Sequence, residues 1–456
     1  MPYGAIATPK PLLWRCSNGQ RDFDGLPCGL ACSRYPLSSC GLRHSKGRDM
    51  IVRHGGRSDV GSVRANNEDS FLADPQTQLF VVCDGVGGRK GGAEASSLAV
   101  EHIGQLVAKS RKSLEEFASG TGQTARRDVA SILERSISDA SRRVRHYALA
   151  NPQLAGMATT AAALLVVGDQ AFVGHVGDSR VYLLRAGVLH CLTEDHSVAN
   201  DLKRRGRLPE SSIASAQNEV LTRALGVLDT ARVDLLDLEV LPRDRFVLCS
   251  DGVHGVVGDE LMQALGARGD VQRAAEELIE AALQKGAPDN ATAVVVDVLD
   301  DAAEDRAMRV RRRLEAIQSV TMFRYLAFAD LMRVAGIARE LRWPAGTPFF
   351  KESDPGDSMY ILLDGSVGVS KSGLELAMLK PGAHFGEMAL IERAPRSATV
   401  VAKTDCDVLV IEREGFYGLL AEETTAVKLL WGLVRMLNHR LRLTSDELTH
   451  LKMGLQ

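Results

Sequence analysis

The chain lacks a surplus of charge of either sign. It contains 55 Lys and Arg residues against 58 Asp and Glu residues, which gives a formal net charge of −3 over 456 residues. A balance this even provides no long-range field that would recruit nucleic acid or an anionic membrane. We therefore expect neither as a partner, and we expect specificity to come from a local site.

Long apolar runs are also missing. The most apolar run, residues 161–167, has the length of a strand and falls far short of the roughly 18–20 residues that span a bilayer. Residues 1–49 are rich in Gly, Pro, Ser and Arg and contain no secretory-signal core. We expect a soluble protein whose residues 1–49 are disordered, or whose natural start is Met50, where strand-like sequence begins.

Cysteines with the paired spacing of a zinc site are absent. Cys28 and Cys32 are three residues apart, but Cys16 and Cys40 have no close partner, which makes zinc the less favoured interpretation even with His44 nearby. The remaining cysteines lie singly among apolar neighbours. They predict buried, reduced thiols of a cytoplasmic protein: Cys83, Cys191, Cys249 and Cys406.

Short β-branched runs alternate with amphipathic stretches between residues 50 and 299. The runs predict strands at residues 79–83, 159–167, 171–176, 181–184, 245–249 and 293–298. Apolar residues at three- and four-residue spacing predict helices at residues 93–109, 125–150 and 260–285. Helices packed outside a two-sheet core would satisfy this order.

The rest of the chain has a different organisation. Residues 300–316 hold many charges, which predicts an exposed linker helix over 300–319. Residues 320–456 predict a helix, many short strands with Gly or Pro turns, and an amphipathic helix at 427–443. We therefore predict an α+β protein: a domain at 50–299, the linker helix, and a small β-barrel with flanking helices at 320–456.

Carboxylates stand at the ends of the predicted strands or in the adjoining turns. A single Asp-Gly pair is more often an ordinary turn, but a series of them beside strands can converge on one site. Oxygen ligands without Cys or His favour Mg²⁺ or Mn²⁺, and Gly85 leaves its carbonyl open to a metal. The candidates are Glu68, Asp69, Asp84, Asp178, Asp251 and Asp289.

The same motifs resemble, in content and order, those of metal-dependent protein phosphatases of the type 2C class. The resemblance covers about residues 52–298, through SDVGSVRANNED, VCDGVGGRKGGAEAS, MATTAAALLV, GHVGDSRVYLLRAG, LTEDHS, LTRALG, VLCSDGV and APDNATAVVV. It implies an α-β-β-α sandwich that hydrolyses phosphoserine or phosphothreonine. Water activated by two divalent ions, Mn²⁺ or Mg²⁺, would attack phosphorus in line without a covalent phosphoenzyme.

Carried over to this chain, the resemblance assigns a role to each carboxylate. Asp84 would bridge the two ions, with the Gly85 carbonyl on one of them and Asp251 and Asp289 on the other. Glu68 and Asp69 would hold metal-bound waters, and Asp178 with Asp251 would bind a third, looser ion. Arg64 would bind phosphoryl oxygens through its planar guanidinium.

One position departs from the family pattern, which leaves the acid of the reaction open. Some members place a histidine directly after the Asp-Gly pair, where this chain has Val86, so another group or water would protonate the leaving oxygen. His196 is an alternative acid, but a turn that enters a helix explains Asp-His-Ser equally well, and we favour that structural role. Residues 198–221 resemble the variable flap beside the family's active site.

A second site is indicated by FGEMALIERAPRSATV, residues 385–400. Gly386 and Glu387 precede a helical turn whose free N–H groups suit an anion, Arg396 can clamp that anion, and a carboxylate suits sugar hydroxyls. The alternative is a purely structural role, in which Glu387 and Arg396 form a salt bridge on the surface.

This stretch resembles the phosphate-binding cassette of cyclic-nucleotide-binding domains, which have a jelly-roll barrel, over roughly residues 320–443. The resemblance implies that Glu387 binds the ribose hydroxyl and Arg396 the cyclic phosphate. Gly386, Ala389 and Ser397 would add backbone or hydroxyl contacts. Serine at 397 favours cyclic AMP over cyclic GMP.

The combined prediction is a protein serine/threonine phosphatase regulated by a cyclic nucleotide. Its protein substrates would be those of a serine/threonine kinase, and we expect no helix-turn-helix after the barrel. The alternative is a catalytically weak pseudophosphatase that acts as a nucleotide-sensing scaffold. The apolar stripe of the last helix, which includes Val427, Leu430 and Leu437, predicts packing on the barrel or a lid over the purine, with Trp431 available to stack on the base.

Overall fold

The computed structural model describes residues 51–86, 91–204, 220–299, 304–420 and 423–453. The cysteine cluster with His44, the predicted disordered segment and residues 205–219 of the flap lie outside these ranges. No helix within them is long and apolar enough to cross a membrane.

The N-terminal part is built from two antiparallel sheets. One sheet has the order β1-β11-β10-β7-β8, and the other has the order β2-β3-β5-β6-β9, with β4 paired to β3. The strands are β1 (Ile51–Asp59), β2 (Asp69–Asp74), β3 (Leu79–Val86), β4 (Ala158–Thr159), β5 (Ala161–Val167), β6 (Gln170–Val176), β7 (Arg180–Arg185), β8 (Val188–Cys191), β9 (Asp234–Glu239), β10 (Arg245–Cys249) and β11 (Ala291–Leu299).

Helices cover the outer faces of both sheets. These helices are α1 (Gly91–Lys109), α2 (Arg111–Ser119), α3 (Arg126–Ala150), α5 (Asp251–Val257), α6 (Asp259–Gly266) and α7 (Val271–Gln284), and the short helix α4 (Val198–Arg204) follows β8 in the chain. Alternate strand residues face opposite ways: Phe80 and Val82 fill the space between the sheets, whereas Leu79 and Val81 pack beneath α1 and α3. The predicted α-β-β-α sandwich is confirmed.

The C-terminal part contains two four-stranded antiparallel sheets, β12-β19-β14-β17 and β13-β18-β15-β16, around one aromatic and aliphatic core. Its strands are β12 (Arg339–Trp343), β13 (Pro348–Phe350), β14 (Ser358–Asp364), β15 (Val367–Lys371), β16 (Leu374–Leu379), β17 (His384–Phe385), β18 (Thr399–Ala402) and β19 (Cys406–Glu412). The sheets agree with a jelly-roll, although they do not close into one continuous barrel within the described residues.

The helices described beside these sheets are α8 (Glu304–Ser319), α9 (Phe328–Ile337), α10 (Met388–Ile391), α11 (Arg413–Leu420) and α12 (Glu423–Met453). The apolar cluster between the two N-terminal sheets continues into α8, α9 and α12. The proposed domain boundaries at residues 50, 300 and 320 therefore stay predictions.

Four details differ from the sequence-based expectations. The helix predicted at 260–285 is broken between α6 and α7, because Gly269 adopts φ +59° and the Asp270 side chain caps α7. The linker helix α8 is not simply exposed, since it buries Val310 and Ile317. Cys191 is exposed at the end of edge strand β8, whereas the other three described cysteines are buried. The predicted stripe of α12 faces solvent.

Candidate functional site

The carboxylates predicted from strand ends are brought together at one end of the sandwich. A cavity of about 740 Å³ is lined by side chains from β3, from the turn after β6, from the start of α5 and from the turn before β11. Its lining includes Arg64, Glu68, Asp84, Gly85, Asp178, Asp251 and Asp289. Asp69 lies behind the cavity, paired with Asp84 in the β2–β3 register.

Burial and mutual repulsion destabilise the charges of these carboxylates. Loss of hydration, followed by the charges of Asp69, Asp251 and Asp178, raises the pKa of Asp84 well above its ordinary value. Burial is also the largest cause that raises the pKa of Asp69 to about 7 and the pKa of Asp178 to about 7, and Asp251 adds to both. Bound cations would stabilise the ionised form of these carboxylates.

The donor set fits oxygen-coordinated divalent ions. Asp69 Oδ1 is buried and has no hydrogen-bond partner within the described residues. A Cβ at Gly92 would lie 2.4 Å from Glu68 Oε2 and 2.7 Å from the Gly85 carbonyl oxygen. Only glycine therefore allows the start of α1 to approach both oxygens, and sequence reasoning did not identify Gly92.

Asp289 is oriented differently from the predicted ligand. Its Oδ2 accepts a hydrogen bond of 2.6 Å from Arg64 Nη2, and this contact is the largest cause that raises the pKa of Arg64. Within the described ranges, no three Asp, Glu, His or Cys side chains have metal-binding spacing. An exchange of Arg64 for a metal ion at Asp289 would free Arg64 for an anion.

Hydroxyl groups hold the two central carboxylate residues in place. The Asp84 N–H donates to Thr160 Oγ1 at 2.9 Å, and the Thr159 hydroxyl donates to the Asp84 carbonyl at 2.8 Å. The hydroxyls of Ser250 and Thr292 donate to Asp69 Oδ2 at 2.7 and 2.6 Å. Each of these four residues lies inside a quoted motif, but only the fold reveals its partner.

The two positions considered for protonation of the leaving oxygen, Val86 and His196, lie in different places. Val86 lines the cavity. His196 is buried, accepts a hydrogen bond of 3.0 Å from the Gly177 N–H through Nδ1, and contacts Asp234 through Nε2. It is not among the residues that line the cavity, which agrees with a structural role.

The five predicted nucleotide-binding residues also share one cavity. A pocket of about 300 Å³ is lined by Gly386, Glu387, Ala389, Arg396 and Ser397, together with apolar residues of β15, β16 and β18. Glu387 and Arg396 are both buried, which argues against the alternative of a surface salt bridge. Gly386 adopts φ +78°, and a Cβ there would lie 2.7 Å from Arg396 Nη1.

Arg396 is a buried cation held mainly by neutral groups. Its Nη1 and Nη2 donate to the carbonyl oxygens of Gly386 and Ser358 at 3.2 and 2.9 Å, and its guanidinium carbon lies 4.0 Å from the ring centre of Phe350. Its Nε is buried without a hydrogen-bond partner in the described part of the chain. Burial is the largest cause that lowers the pKa of Arg396. The geometry suits an anion in the pocket.

Two family profiles match the chain. The profile described as Protein phosphatase 2C matches residues 61–300, more than half of the chain, and the profile described as Cyclic nucleotide-binding domain matches residues 340–423.

The chain is similar to several bacterial phosphatases. It is 36% identical to the serine/threonine protein phosphatase PstP of Mycobacterium tuberculosis over 253 residues, which are 55% of this chain and 46% of that protein. It is 30% identical to the serine/threonine phosphatase stp of Listeria innocua over 246 residues, which are 53% of this chain and 94% of that protein. The chain thus spans about half the length of PstP.

Two solved structures are also similar to part of the chain. A crystal structure of the PstP catalytic domain in complex with two manganese ions is 33% identical, covers 55% of this chain and 100% of that chain, and has a TM-score of 0.48. PppA of Pseudomonas aeruginosa is 32% identical, covers 54% of this chain and 98% of that chain, and has a TM-score of 0.47. With the profile match over residues 61–300, the chain belongs to the protein phosphatase 2C family and carries a C-terminal cyclic-nucleotide-binding domain.

Proposed function

We propose that this protein is a metal-dependent phosphatase of phosphoserine and phosphothreonine in proteins, and that a cyclic nucleotide regulates it. The observation that carries the catalytic part is the convergence of four Asp side chains and Glu68 with Arg64 around one cavity. Family membership supports the same activity.

Each part of the cavity has a chemical task in this proposal. Asp84, the Gly85 carbonyl, Asp251 and Asp289 would hold two Mn²⁺ or Mg²⁺ ions, while Glu68 and Asp69 hold water and Asp178 serves a third ion. When bound, such ions supply Lewis-acid charge that lowers the pKa of water and stabilises phosphoryl oxygens. Arg64, half exposed at the cavity rim, would orient the phosphate through two parallel N–H groups.

The shape of the cavity favours a protein substrate. Its volume of about 740 Å³ exceeds the needs of a phosphate group, and exposed apolar side chains stand in its wall at Val86, Val227 and Leu228. Such a wall suits side chains that flank a phosphorylated residue in a polypeptide.

The competing proposal, a pseudophosphatase scaffold, conflicts with the charges in the cavity. Asp84, Asp178 and Asp251 repel one another at a buried site. A protein with no use for a cation would gain stability by replacing them with neutral residues.

Hydrolysis assays test the catalytic proposal. We expect para-nitrophenyl phosphate and a phosphothreonine peptide to be hydrolysed with Mn²⁺, not with EDTA, and about 100-fold or more slowly by Asp251→Ala. Activity that survives EDTA and the substitution equally would contradict the metal mechanism. Absence of activity above the Asp251→Ala background, with nucleotide still bound, would favour the scaffold.

The regulatory part of the proposal has a physical route along α9. Asp330 on α9 accepts hydrogen bonds from Thr425 and Lys428 of α12, at 3.0 and 2.8 Å. At the start of the same helix, the Phe328 ring stacks on His190 of β8 with ring centres 3.8 Å apart.

From there the route reaches the catalytic cavity. Helix α9 also packs on β9. Asp234 of β9 accepts a hydrogen bond of 2.6 Å from Arg223, which lines that cavity. A nucleotide that binds two arrangements of these elements with different affinity would change catalysis.

Phe328→Ala should uncouple the two sites. A typical coupling changes activity about 5- to 150-fold, and we expect the nucleotide response to fall below about 2-fold because the stack on His190 is lost. Nucleotide affinity and basal hydrolysis should stay close to those of the parent. Leu149→Ala, an exposed side chain on α3, is the control. An unchanged response in Phe328→Ala would exclude α9 as the route.

We further propose cyclic AMP as the ligand, with Ser397 in the pocket wall as the residue beside the base or phosphate. Titration with both nucleotides tests this choice. Tighter binding of cyclic GMP would overturn it without affecting the catalytic proposal.

A further inference from the structure

Two of the exposed apolar side chains in the wall of the catalytic cavity belong to one loop, residues 226–229. Val227 and Leu228 line the cavity and are 54% and 64% exposed. Scattered exposed apolar side chains are common on protein surfaces and carry no meaning by themselves. This pair differs because the 226–229 loop that presents it is held to the fold at each of its residues.

Helix α3 holds the 226–229 loop through its backbone. The Ser141 hydroxyl donates to the Leu228 carbonyl oxygen at 2.7 Å and accepts from the first N–H of the loop at 3.0 Å. Arg145 donates to the Val227 carbonyl oxygen and forms an ion pair of 3.0 Å with Asp229. These contacts occupy the polar groups of the loop, whereas the two apolar side chains stay in the cavity wall.

The start of the loop is tied to the catalytic carboxylates. Gly226 adopts φ +92°, and a Cβ there would lie 2.6 Å from Val144 Cγ1 of α3, so the close approach requires glycine. The preceding residue, Leu225, exchanges two backbone hydrogen bonds with Thr159, at 2.8 and 3.1 Å. The Thr159 hydroxyl donates to the Asp84 carbonyl. The apolar side chains therefore have a defined position relative to Asp84.

A cation continues the same wall. Arg232 is exposed, lines the cavity, and forms no ion pair with the residues that the structure describes. The other two arginines of the cavity have carboxylate partners, since Arg64 contacts Asp289 and Arg223 contacts Asp234, both at 2.6 Å. The Arg232 guanidinium can therefore receive a carboxylate or phosphate of a ligand.

We propose that the 226–229 loop and Arg232 select the protein segments that the enzyme dephosphorylates. The favoured segment carries an apolar side chain next to the phosphorylated residue and an acidic residue further along. The loop, Arg232 and the catalytic carboxylates line one cavity, so one extended segment can contact all three. A loop that is already fixed loses little conformational entropy when it binds such a segment. The inference rests on the proposed phosphatase function and names its substrate class.

Paired peptides test the apolar preference. Each has one phosphothreonine with Leu or Asn beside it, placed before or after the phosphothreonine in turn. With Mn²⁺, kcat/KM for the better Leu peptide should exceed that of its Asn partner about 10-fold, because Leu is buried against the loop. The double variant Val227→Thr, Leu228→Asn should reduce this preference to below about 2-fold. Leu149→Asn, which changes an exposed leucine on α3, should keep it.

A second peptide series tests Arg232. Glu, or Gln as its neutral counterpart, is placed at successive positions beyond the favourable Leu. Glu at one of these positions should raise kcat/KM about 3-fold, a modest gain because the ion pair is exposed to solvent. Arg232→Gln should abolish the gain. Arg135→Gln, which removes an exposed arginine of α3 outside the cavity lining, should not.

Hydrolysis of para-nitrophenyl phosphate separates the failure of this inference from the failure of the phosphatase proposal. Equal rates on all the peptides in the parent, or preferences that survive the substitutions in the loop and at Arg232, would overturn the inference and leave the phosphatase proposal intact. A parent that hydrolyses para-nitrophenyl phosphate with Mn²⁺ but none of the peptides would overturn both the protein-phosphatase proposal and the substrate class inferred from it.

Discussion

Asp84→Asn is expected to lower kcat/KM about 1,000-fold or more while it raises the thermal stability of the metal-free protein. Activity falls because the amide lacks the charge of the carboxylate proposed to bridge both ions. Stability rises because Asp84 is buried beside Asp69, Asp178 and Asp251, whose charges oppose its own. Relief of this repulsion should raise the melting temperature by about 2–4 °C for each kcal/mol recovered.

The two readouts separate a metal site from a simple packing site. Asn has the shape of Asp, and Thr159 and Thr160 hold only the backbone of Asp84, so the fold should persist. Mn²⁺ should raise the melting temperature of the parent by mass action, and should have little effect on the variant. Asp139→Asn, a surface substitution on α3, should change neither property. A destabilised metal-free Asp84→Asn would contradict the proposed repulsion.

Much of this architecture was accessible from the sequence because the relevant signals are local. Residues 79–83 and 161–167 are apolar throughout and are followed by Asp84 and Gly168, which marks the ends of both strands and, at Asp84, a predicted ligand position. The order of motifs then identified the sandwich. The nucleotide pocket could also be predicted from a local signal, because Gly386, Glu387 and Arg396 fall within one stretch of sixteen residues. All three line one pocket.

The sequence could not predict features that depend on distant partners. Asp69 is held by Ser250 and Thr292, which are 181 and 223 positions away, and a hydroxyl beside a strand has no pattern that points to its acceptor. The ion pair between Arg64 and Asp289 also joins residues that are far apart in the sequence, at a separation of 225 positions. Their geometry is set by the β1–β11 pairing.

Helix α12 shows a second reason why the sequence did not predict every feature, because its pattern fits more than one arrangement. Its apolar residues were assigned to the inner face because one stripe usually means one packed surface. The sequence contains two stripes, and the burial of Leu429 and Met436 with the contact of Gly432 on the turn before α9 shows which one faces inward. Likewise, the break between α6 and α7 depends on a left-handed Gly269 inside an otherwise continuous helical period.

Arg396→Gln is expected to weaken binding of the cyclic nucleotide about 100-fold or more. In the free protein the guanidinium is stacked on Phe350, its N–H groups reach two carbonyl oxygens, and Nε has no partner in the described residues. The carbonyls orient the charge but do not neutralise it. An anionic phosphate would do so, and loss of one member of such a buried pair costs roughly 2–5 kcal/mol.

The substitution Arg396→Gln should lower the affinity for nucleotide without lowering the stability of the nucleotide-free protein. Removing a buried cation whose hydrogen bonds go to neutral carbonyl oxygens should change the melting temperature of the nucleotide-free protein little. Nucleotide should raise the melting temperature of the parent and have little effect on the variant. Calorimetric titration with cyclic AMP measures the affinity directly.

Arg393→Gln is the matched control, since it removes the same charge from an exposed position three residues earlier, outside the residues that line the pocket. It should bind nucleotide as the parent does. Equal losses in both variants would mean that general attraction by positive charge, not Arg396, governs binding. Full affinity in Arg396→Gln would mean that the phosphate lies elsewhere. A selective loss in Arg396→Gln, with basal hydrolysis retained and the nucleotide response abolished, would place the regulatory ligand in this pocket and separate its binding from catalysis.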